Sequence, residues 1–434
     1  MIHTIRIENF RAFGPPIDLR LRPITVMIGK NSAGKSTLIK FLLMLRQTVE
    51  TNDTAFLSTE GRHVDLGAFR QLRNSRYPKR LLKFRIGLNS AELPPTAMMQ
   101  LHDAIRRRVR RGNLIPDEFE LSLRLKKAAI QDRVGDVSYD ISAEANYFSR
   151  KPVGRHRVVA DDQTGTFFDT HAGSLRDVRF LKFPANTTRP EGELDSLVAE
   201  SFLVPARRVI ADVRHLSPVR EESSLTMPSN PPTDDVGHRG EYAMPHLYNI
   251  LEQRGERADF ILRFIGGVTN IDELAFKSRA RHFRSHFRGR NIDTGAHCYL
   301  ADFGFGVSQC LPIFVQGALL QRGQLLIVEQ PEAQVHPTAQ MELGSFFRDL
   351  WRDRGVPSLI ETHSANIILR LRRLISNGDL QPDEVSIAYF AVEKGDTVVR
   401  NIGIQADGRL EKGLPREFFG ADVLEALKMG KRDE

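Results

Sequence analysis

Nine consecutive residues near the N-terminus restrict the fold of this chain more than any other feature. They read Gly29-Lys30-Asn31-Ser32-Ala33-Gly34-Lys35-Ser36-Thr37 and match the phosphate-binding pattern G-x-x-x-x-G-K-S/T at every specified position. The preceding run, Ile24 to Ile28, is apolar as in a buried strand, and Leu38 to Leu45 has the apolar pattern of a helix. The sequence therefore predicts a P-loop between a strand and a helix.

The residue types in this loop suit a bound nucleotide. Successive backbone N–H groups and the positive end of the helix dipole would hold the phosphates. Glycine at 29 and 34 lets the backbone turn tightly, Lys35 would reach the β- and γ-phosphates, and the Ser36 hydroxyl would ligate Mg²⁺. The alternative is a strand-to-helix turn rich in glycine, serine and asparagine that binds nothing.

Composition places the chain among globular proteins. Its 434 residues allow two or three domains, or one nucleotide-binding head with insertions. Hydrophobic residues make up 41% and charged residues 27%, and we expect a cytoplasmic location because no apolar run or N-terminal leader is evident. Two cysteines, Cys298 and Cys310, fit a reducing compartment. The net charge of +8 favours polyanions in general, although proteins whose only anion is a nucleotide are often basic too.

A glycine-rich segment in the second half offers another anion site. Asp302 to Gln309 precedes an apolar helix predicted from Cys310 to Leu320. Ser308 is a natural N-cap, and Pro312 would fall in the first turn, where a missing N–H costs little. The alternative is a capped core helix that follows a glycine-rich turn.

Two further buried strands end in polar residues. Gln324 to Val328 is a continuous apolar run of the parallel-strand type and leads into Glu329. Leu359 to Thr362 is a second such strand and ends at His363. An acid at the carboxyl end of such a strand lies beside the P-loop, so the Glu329 carboxylate can hold the hydration shell of Mg²⁺.

If the bound nucleotide is hydrolysed, a residue near Glu329 must accept the proton of the attacking water. Gln330 follows Glu329, and an amide can orient an attacking water but cannot accept its proton as a carboxylate does. Glu332, or a water network through His363, could supply the base. The alternative for Glu332 is that it only caps the next turn.

The N-terminal residues Ile5 to Phe13, a spacer and the P-loop resemble the N-terminus of the RecF, SMC and OLD group of ABC-type ATPases. The segment from Asp302 to Gln309, which includes Gly306 and Ser308, resembles the signature motif of this group. In that motif the serine contacts the γ-phosphate bound to the opposite subunit. Glu329 takes the Walker B position, and His363 takes that of the switch histidine, which hydrogen-bonds the γ-phosphate. The resemblance implies ATP and Mg²⁺ as cofactors.

Three positions carry weaker signals or depart from the pattern. Gln330 stands where ABC-type ATPases usually have a catalytic glutamate, so hydrolysis is expected to be slow. Gln71 lies in a segment that resembles the region of the Q-loop and could sense Mg²⁺, or could be a surface glutamine without a role. Val335-His336-Pro337 resembles the D-loop region and leaves His336 as an interface candidate only.

The predicted fold is α/β: an ABC-type ATPase head with a parallel P-loop sheet, a flanking antiparallel β subdomain and an inserted α/β subdomain. Residues 1–90 would form the N-terminal part of the head, 91–206 the insertion and 207–434 the C-terminal part. Strand-like patterns are predicted at 64–88, as paired strands at 119–143, as hairpins at 155–183 and as two terminal strands at 385–404. A basic helix is predicted at 104–111 and a basic-faced helix at 367–375. A surface loop is predicted at 227–233.

A basic segment raises the question of nucleic acid. Lys277 to Arg290 interleaves arginines with phenylalanines, which can track a phosphate backbone while the rings stack on bases. The same alternation is produced by a half-buried hairpin with one solvated face.

The resemblance is closest to the OLD-like, RecF-related ATPases of prokaryotic anti-phage defence, including ATPase subunits of Septu, PARIS and retron modules. It implies a homodimer or higher homo-oligomer that regulates or senses for a separate effector, a nuclease or toxin, without a membrane. The alternative is a RecF-like DNA-binding ATPase of repair or recombination. A third reading is an ATP-binding scaffold with negligible turnover.

Overall fold

The computed structural model describes residues 2–51, 58–80, 82–89, 118–127, 139–148, 152–161, 166–169, 173–175, 208–221, 234–269, 271–278, 285–300 and 305–413. The predicted basic helix at 104–111 and the predicted loop at 227–233 lie outside these residues. The chain divides into two compact units. The first comprises Met1–Leu21, Lys30–Val213 and Phe390–Arg400, and the second comprises Arg22–Gly29, Arg214–Tyr389 and Asn401–Glu434.

The described strands are, in chain order, β1 (Ile2–Glu8), β2 (Ile17–Arg20), β3 (Ile24–Gly29), β4 (Leu82–Asn89), β5 (Glu118–Lys127), β6 (Tyr139–Phe148), β7 (Pro152–Asp161), β8 (Thr166–Asp169), β9 (Gly173–Leu175), β10 (Val213–Leu216), β11 (Ile271–Ser278), β12 (Ser285–Asn291), β13 (His297–Tyr299), β14 (Leu325–Glu329), β15 (Ser358–Glu361), β16 (Val385–Glu393) and β17 (Asp396–Ile402). The described helices are α1 (Lys35–Glu50), α2 (Phe69–Leu72), α3 (Ala243–Gln253), α4 (Glu256–Thr269), α5 (Phe305–Leu319), α6 (Pro337–Arg354) and α7 (Ala365–Ser376). In this part of the chain no helix combines the length and apolar character needed to cross a membrane.

The first unit contains an antiparallel sheet with the order β2-β1-β4-β5-β6-β7-β8-β9. Ile5 of β1 lies opposite Leu19 and Ile86, and all three side chains are buried, so one face of this part of the sheet is apolar. Helix α1 packs its Phe41 ring 5.0 Å from that of Phe84. The predicted flanking antiparallel strands, the paired strands predicted at 119–143 and the hairpins predicted at 155–183, as far as residue 175, are therefore confirmed.

The strand predicted between 64 and 88 is correct only for β4. Residues 64–80 form turns around the short helix α2 instead. Side chains in this stretch bond to nearby or distant backbone in place of a ladder: Asp65 accepts from the N–H of Gly67, and Asn74 donates to the carbonyl of Arg11 at 2.7 Å. Such side-chain bonds compete with strand pairing, and the apolar pattern does not reveal them.

The second unit is organised around parallel strands. Its strands β10, β14, β15 and β3 are neighbours in that order, and β14, β15 and β3 pair in parallel. Their inner residues are buried on both faces, as expected for a parallel strand. The helices pack phenylalanine rings against one another. The ring centroid of Phe346 lies 5.1 Å from that of Phe314 and 5.2 Å from that of Phe264. The parallel β14 and β15, the helix α7 and the terminal strands β16 and β17 all match their predictions.

Helix α5 corrects the prediction at its start. It begins at Phe305 rather than after Ser308, so Ser308 is not an N-cap and Pro312 lies inside the helix. A proline there removes the N–H that would donate to the carbonyl of Ser308. The helix continues through this defect because α5 is almost wholly buried, and tertiary packing outweighs one lost hydrogen bond.

Candidate functional site

The P-loop backbone adopts a conformation that depends on glycine. Strand β3 ends at Gly29, and α1 begins at Lys35, directly after Gly34. Gly34 has φ 103°, and a Cβ there would lie 2.9 Å from Phe13 Cε1 and 3.2 Å from Thr397 Cγ2. Both the positive φ and the close approach exclude a side chain at this position. The glycine that the motif specifies is therefore required by the local geometry.

The start of α1 is suited to an anion. The residue at the cap position is Gly34, which has no side chain to cap the helix, and the first turn contains no acid that could neutralise the dipole. Lys35 is 4% exposed, and its Nζ donates to the carbonyl of Lys30 at 3.0 Å. The loop thus gathers an ammonium group and the positive end of a helix within one short segment, which fits the phosphates of a nucleotide.

Three strands of the second unit end at the same edge of their sheet. The parallel register places Glu329 of β14 opposite Glu361 of β15, and Glu361 opposite Met27 of β3, two residues before the P-loop begins. Beyond the strands, the N–H of Gln330 donates to the Glu361 carbonyl at 2.7 Å, and that of Thr362 donates to the Met27 carbonyl at 3.1 Å. The predicted Walker B and switch strands are therefore neighbours of the P-loop strand.

Glu329 is held by two residues to which the sequence assigned no chemistry. Nε2 of His215 lies 2.7 Å from Glu329 Oε1, where its N–H donates to the carboxylate. Arg220 donates from Nη2 to the main-chain carbonyl of Glu329 at 2.6 Å. Both residues belong to the segment His215 to Arg220, which begins inside β10. His215 lies inside β10 and Arg220 follows four residues after its end, so neither position carries a sequence pattern that indicates a contact with Glu329.

Glu332 connects the end of β14 to the segment that carries His363. Its Oε1 accepts from the backbone N–H of His363 at 2.7 Å, whereas its buried Oε2 has no hydrogen-bond partner among the described residues. The next helix, α6, is capped by His336, whose Nδ1 accepts from the N–H of Thr338. The interpretation that Glu332 merely caps the following turn is therefore wrong. A buried carboxylate oxygen without a partner is suited to a water or a proton.

The signature residues lie in the first turns of α5. Ser308 and Gln309 are each 6% exposed. A Cβ at Gly306 would lie 3.3 Å from the carbonyl of Gln334, so the start of the helix packs closely on the predicted D-loop region. The carbonyl of Gln309 accepts from Arg220 Nη1 at 3.2 Å. The residue that holds Glu329 thus also holds the signature helix.

Two other candidates lie elsewhere. Gln71 is exposed, and its backbone N–H donates to the carbonyl of Ala68 within α2. Phe287, in the predicted nucleic-acid segment, is 2% exposed, so its ring cannot stack on a base without unfolding of the hairpin. Arg290 of the same strand is paired with Asp272 at 2.6 Å and Glu273 at 3.0 Å. For the described residues of this segment, the half-buried hairpin β11–β12 is the better description.

The expected Mg²⁺ needs oxygen ligands, which this part of the protein can supply in part. Within the described ranges no cluster of three or more His, Cys, Asp or Glu could hold a metal ion. Mg²⁺ beside a nucleotide does not need such a cluster, because phosphates and waters supply most ligands and the protein adds one or two oxygens. The Ser36 hydroxyl and the Glu329 carboxylate have the required chemistry. These residues fit a nucleotide-bound Mg²⁺ and do not fit an all-protein metal site.

Comparison with known proteins identifies the family. Residues 24–370 match the family described as "AAA domain, putative AbiEii toxin, Type IV TA system". The chain belongs to this family. The match begins at β3 and extends into α7, so it includes the P-loop, α5, β14 and β15. The chain therefore carries an AAA domain, in agreement with its P-loop, and the α/β fold class with parallel and antiparallel sheets is confirmed.

Solved structures give weaker similarities. An SMC head bound to the C-winged helix domain of ScpA has a TM-score of 0.44 at 9% identity, covering 93% of this chain and 98% of that one. An SMC head from Thermotoga maritima has a TM-score of 0.39 at 9% identity, with 92% and 98% covered. An SMC head from Pyrococcus furiosus bound to the C-terminal domain of ScpA has 0.41 at 10% identity, with 98% and 99% covered. No curated protein sequence matches the chain.

Proposed function

We propose that this protein binds ATP with Mg²⁺, dimerises around it, hydrolyses it slowly, and through this cycle regulates or senses for a separate effector in prokaryotic antiviral defence. The observation that carries the ATP chemistry is the shared edge of β14, β15 and β3, where Glu329, the His363 segment and the first P-loop residue follow adjacent parallel strands. Ligands of open α/β sheets bind outside the carboxyl ends of such strands. The family match, whose description includes a toxin–antitoxin system, supports the defence setting.

Each residue has a defined task in this proposal. Lys35 and the N–H groups at the start of α1 bind the phosphates, and Gly34 lets the backbone approach them. Ser36 and Glu329 supply protein oxygens to Mg²⁺, which when bound neutralises charge on the β- and γ-phosphates. Ser308 acts on the nucleotide of a second copy, as the resemblance to the signature motif implies.

Proton transfer is assigned to Glu332 rather than to Gln330. Gln330 orients the attacking water, since an amide has no site for its proton. Glu332 carries a buried Oε2 that has no partner in the part of the chain that the structure describes, and its Oε1 accepts from the backbone N–H of His363. That N–H bond ties the position of Glu332 to the segment of His363, the candidate γ-phosphate sensor. A proton acceptor two residues beyond the usual position agrees with slow hydrolysis.

The test begins with two lysines of the same helix. Lys35→Ala removes the phosphate-binding ammonium group, whereas Lys40→Ala removes an exposed lysine of α1 as a matched control. ATP binding and thermal unfolding are measured together on both variants. We expect Lys35→Ala to lose ATP binding without unfolding and Lys40→Ala to resemble the wild type. Unchanged ATP affinity in Lys35→Ala would refute the assignment of the P-loop.

The biological part is tested with the same two variants. Phage plaques are counted on cells that carry the gene with its neighbouring genes, with wild type, Lys35→Ala or Lys40→Ala, and on cells that carry the gene alone. The proposal expects protection only with the neighbours present and with Lys35 intact. Equal plating on all strains, together with sensitivity to DNA damage when the gene is deleted, would instead support a RecF-like repair function.

A further inference from the structure

One arginine bonds to both the signature helix and the Walker B strand. Arg220 is 3% exposed and donates from Nη2 to the Glu329 carbonyl at 2.6 Å and from Nη1 to the Gln309 carbonyl at 3.2 Å. The side-chain amide of Gln309 returns a bond to the carbonyl of Arg220 at 3.4 Å. The two ends of this bridge are 20 residues apart in sequence, and both are joined through one planar guanidinium.

Burying this charge opposes stability, so its presence needs an explanation. Burial lowers the pKa of Arg220 to about 10, against the opposing effect of nearby groups that include Glu332 and Glu329. The guanidinium remains protonated near neutral pH, and its Nε has no hydrogen-bond partner among the described residues. Buried ion pairs often stabilise a fold less than apolar side chains of the same size would. The arginine is thus better explained by what it connects than by stability.

The helix end that Arg220 contacts is intrinsically weak. Pro312 cannot donate to the carbonyl of Ser308, which removes one bond from the turn that carries the signature residues. The next carbonyl, that of Gln309, receives the external bond from Arg220. The turn therefore has one internal hydrogen bond fewer than a regular turn and one external bond, through which a shift of the turn would move the guanidinium of Arg220.

The segment that carries Arg220 is itself fixed. The N–H of Ser217 donates to the carbonyl of His238 at 2.8 Å, and that of Glu221 donates to the carbonyl of Arg239 at 2.8 Å. At its start, His215 bonds to the carboxylate of Glu329. Both the main chain and the side chain of Glu329 are therefore held from this one segment.

We propose that Arg220 is a positioning residue that couples the first turns of α5 to Glu329, so that contacts made by Ser308 change the affinity of Glu329 for Mg²⁺. The inference rests on the proposed function, since it assigns Glu329 to Mg²⁺ and Ser308 to a second copy. Arg220 contacts main-chain carbonyls at both ends of the bridge, and it acts through the orientation of those segments. Residues that orient metal ligands in this way change metal affinity by about 10- to 100-fold when substituted.

The experiment measures Mg²⁺ dependence of nucleotide binding on the full chain. ATP affinity is determined in EDTA and across a Mg²⁺ titration for wild type, Arg220→Lys and Arg214→Lys. Arg214 is the matched control because it is a buried arginine 7% exposed, on β10, and pairs with Asp234 and Asp235. We expect Arg220→Lys to raise the half-saturating Mg²⁺ concentration about 10-fold or more, with ATP affinity in EDTA unchanged. Arg214→Lys should leave both values near those of wild type.

Coupling to the signature end is tested by a double variant. Ser308→Ala alone should raise the half-saturating Mg²⁺ concentration in the wild-type background, whereas in the Arg220→Lys background it should add nothing further. Thermal unfolding of every variant is measured first. Should Arg220→Lys be unfolded at the assay temperature, Gln309→Ala takes its place, because it removes the amide that holds the Arg220 main chain, and a smaller rise in the same direction is expected.

The outcomes distinguish a failure of the Arg220 coupling from a failure of the proposed ATP binding. Equal Mg²⁺ dependence in Arg220→Lys and Arg214→Lys, or full additivity of Ser308→Ala with Arg220→Lys, would overturn the coupling and leave the ATP assignment intact. A wild-type chain that bound no ATP with or without Mg²⁺ would overturn the proposed function and the coupling together.

Discussion

Helices α1 and α5 both present an N-terminal turn as a candidate anion site, but the two turns are built differently. At α1 the strand, loop and helix are continuous in sequence, and Gly34 in a left-handed conformation sets the entry into the helix. At α5 the turn is weakened by Pro312 and held by Arg220. One site is defined by local backbone conformation, and the other by a side chain from a different segment.

This difference explains why the two sites should respond differently to substitution. A site set by backbone conformation fails when a side chain is added where none fits. A site held by a distant side chain keeps its local fold and loses its coupling when that side chain changes. The largest effect is therefore expected where a side chain is added to the glycine-defined turn of α1.

The strongest contrast is between two glycines. Gly34→Ala places an alanine at a positive φ and puts its Cβ 2.9 Å from Phe13 Cε1. Because the loop must then distort, ATP binding should fall by about 100-fold or more. Gly306→Ala is the control because, among the described residues, its Cβ would meet only the Gln334 carbonyl, at 3.3 Å, and its φ is not positive. ATP binding to Gly306→Ala should change by less than about 3-fold. Comparable losses in both variants would show that the two turns are equally dependent on glycine.

The part of the fold that could be predicted follows the same contrast. The buried strand β3, the P-loop and α1 were predicted because glycine, lysine and an apolar run specify them locally. The start of α5 was not, since the rule that places proline in the first turn ignores burial, and the packed core around Phe314 and Phe346 tolerates an internal proline. The bridge from Arg220 to Glu329 could not be predicted, because long-range hydrogen bonds leave no periodicity in sequence.

Turnover should distinguish the two residues that follow Glu329. Glu332→Gln removes the proposed proton acceptor and should lower ATP hydrolysis by about 100-fold or more, with ATP binding retained. Gln330→Glu restores a carboxylate at the usual position and should preserve or raise the rate. Phosphate release at saturating ATP measures both. If Gln330→Glu abolished turnover while Glu332→Gln had no effect, the amide would be essential and the assignment of the base would be wrong.

A mixed dimer tests whether one site uses α1 of one copy and α5 of the other. Ser308→Arg should block the ATP-bound dimer while monomers still bind nucleotide, and Lys35→Ala should bind none. Random mixing of the two variants should restore hydrolysis to at most about a quarter of wild type, because half the dimers then carry one intact site. Because position 308 is buried, the melting temperature of Ser308→Arg is measured to check that this variant is folded. Absence of recovery after mixing has been verified would contradict a shared site.

A smaller effect is expected when the weakness of α5 is repaired. Pro312→Ala supplies an N–H for the Ser308 carbonyl, so the turn should depend less on Arg220. The loss of unfolding free energy caused by Arg220→Lys should therefore be about 1 kcal/mol smaller in the Pro312→Ala background. Urea unfolding of the four variants of this cycle measures the coupling. Additivity within about 0.3 kcal/mol would mean that the proline and the arginine act independently.

The smallest predicted effect concerns the other end of α1, which side chains rather than glycine hold in place. Buried Gln47 accepts from the N–H groups of His63 and Val64, and Glu50 bonds to His63 and Arg46. Burial opposes ionisation of Glu50, but the hydrogen bond from His63 and the charge of Arg46 outweigh it and lower the pKa from 4.5 to about 2.

The sign of the pH dependence follows from this lowered pKa. Because the folded pKa lies below the unfolded value, the contribution of Glu50 is present above about pH 4.5 and is lost as the pH falls through about 2. The Glu50 side chain is 37% exposed, so after solvent screening we expect Glu50→Gln to cost under about 1 kcal/mol at pH 7. Glu60→Gln, at an exposed acid three residues before His63, is the control. The difference in urea midpoint between Glu50→Gln and wild type should shrink between pH 5 and about pH 3. A difference that stayed constant over this range would mean that Glu50 stabilises the end of α1 by packing rather than by charge, as the glycine-defined start of the same helix is stabilised by backbone geometry.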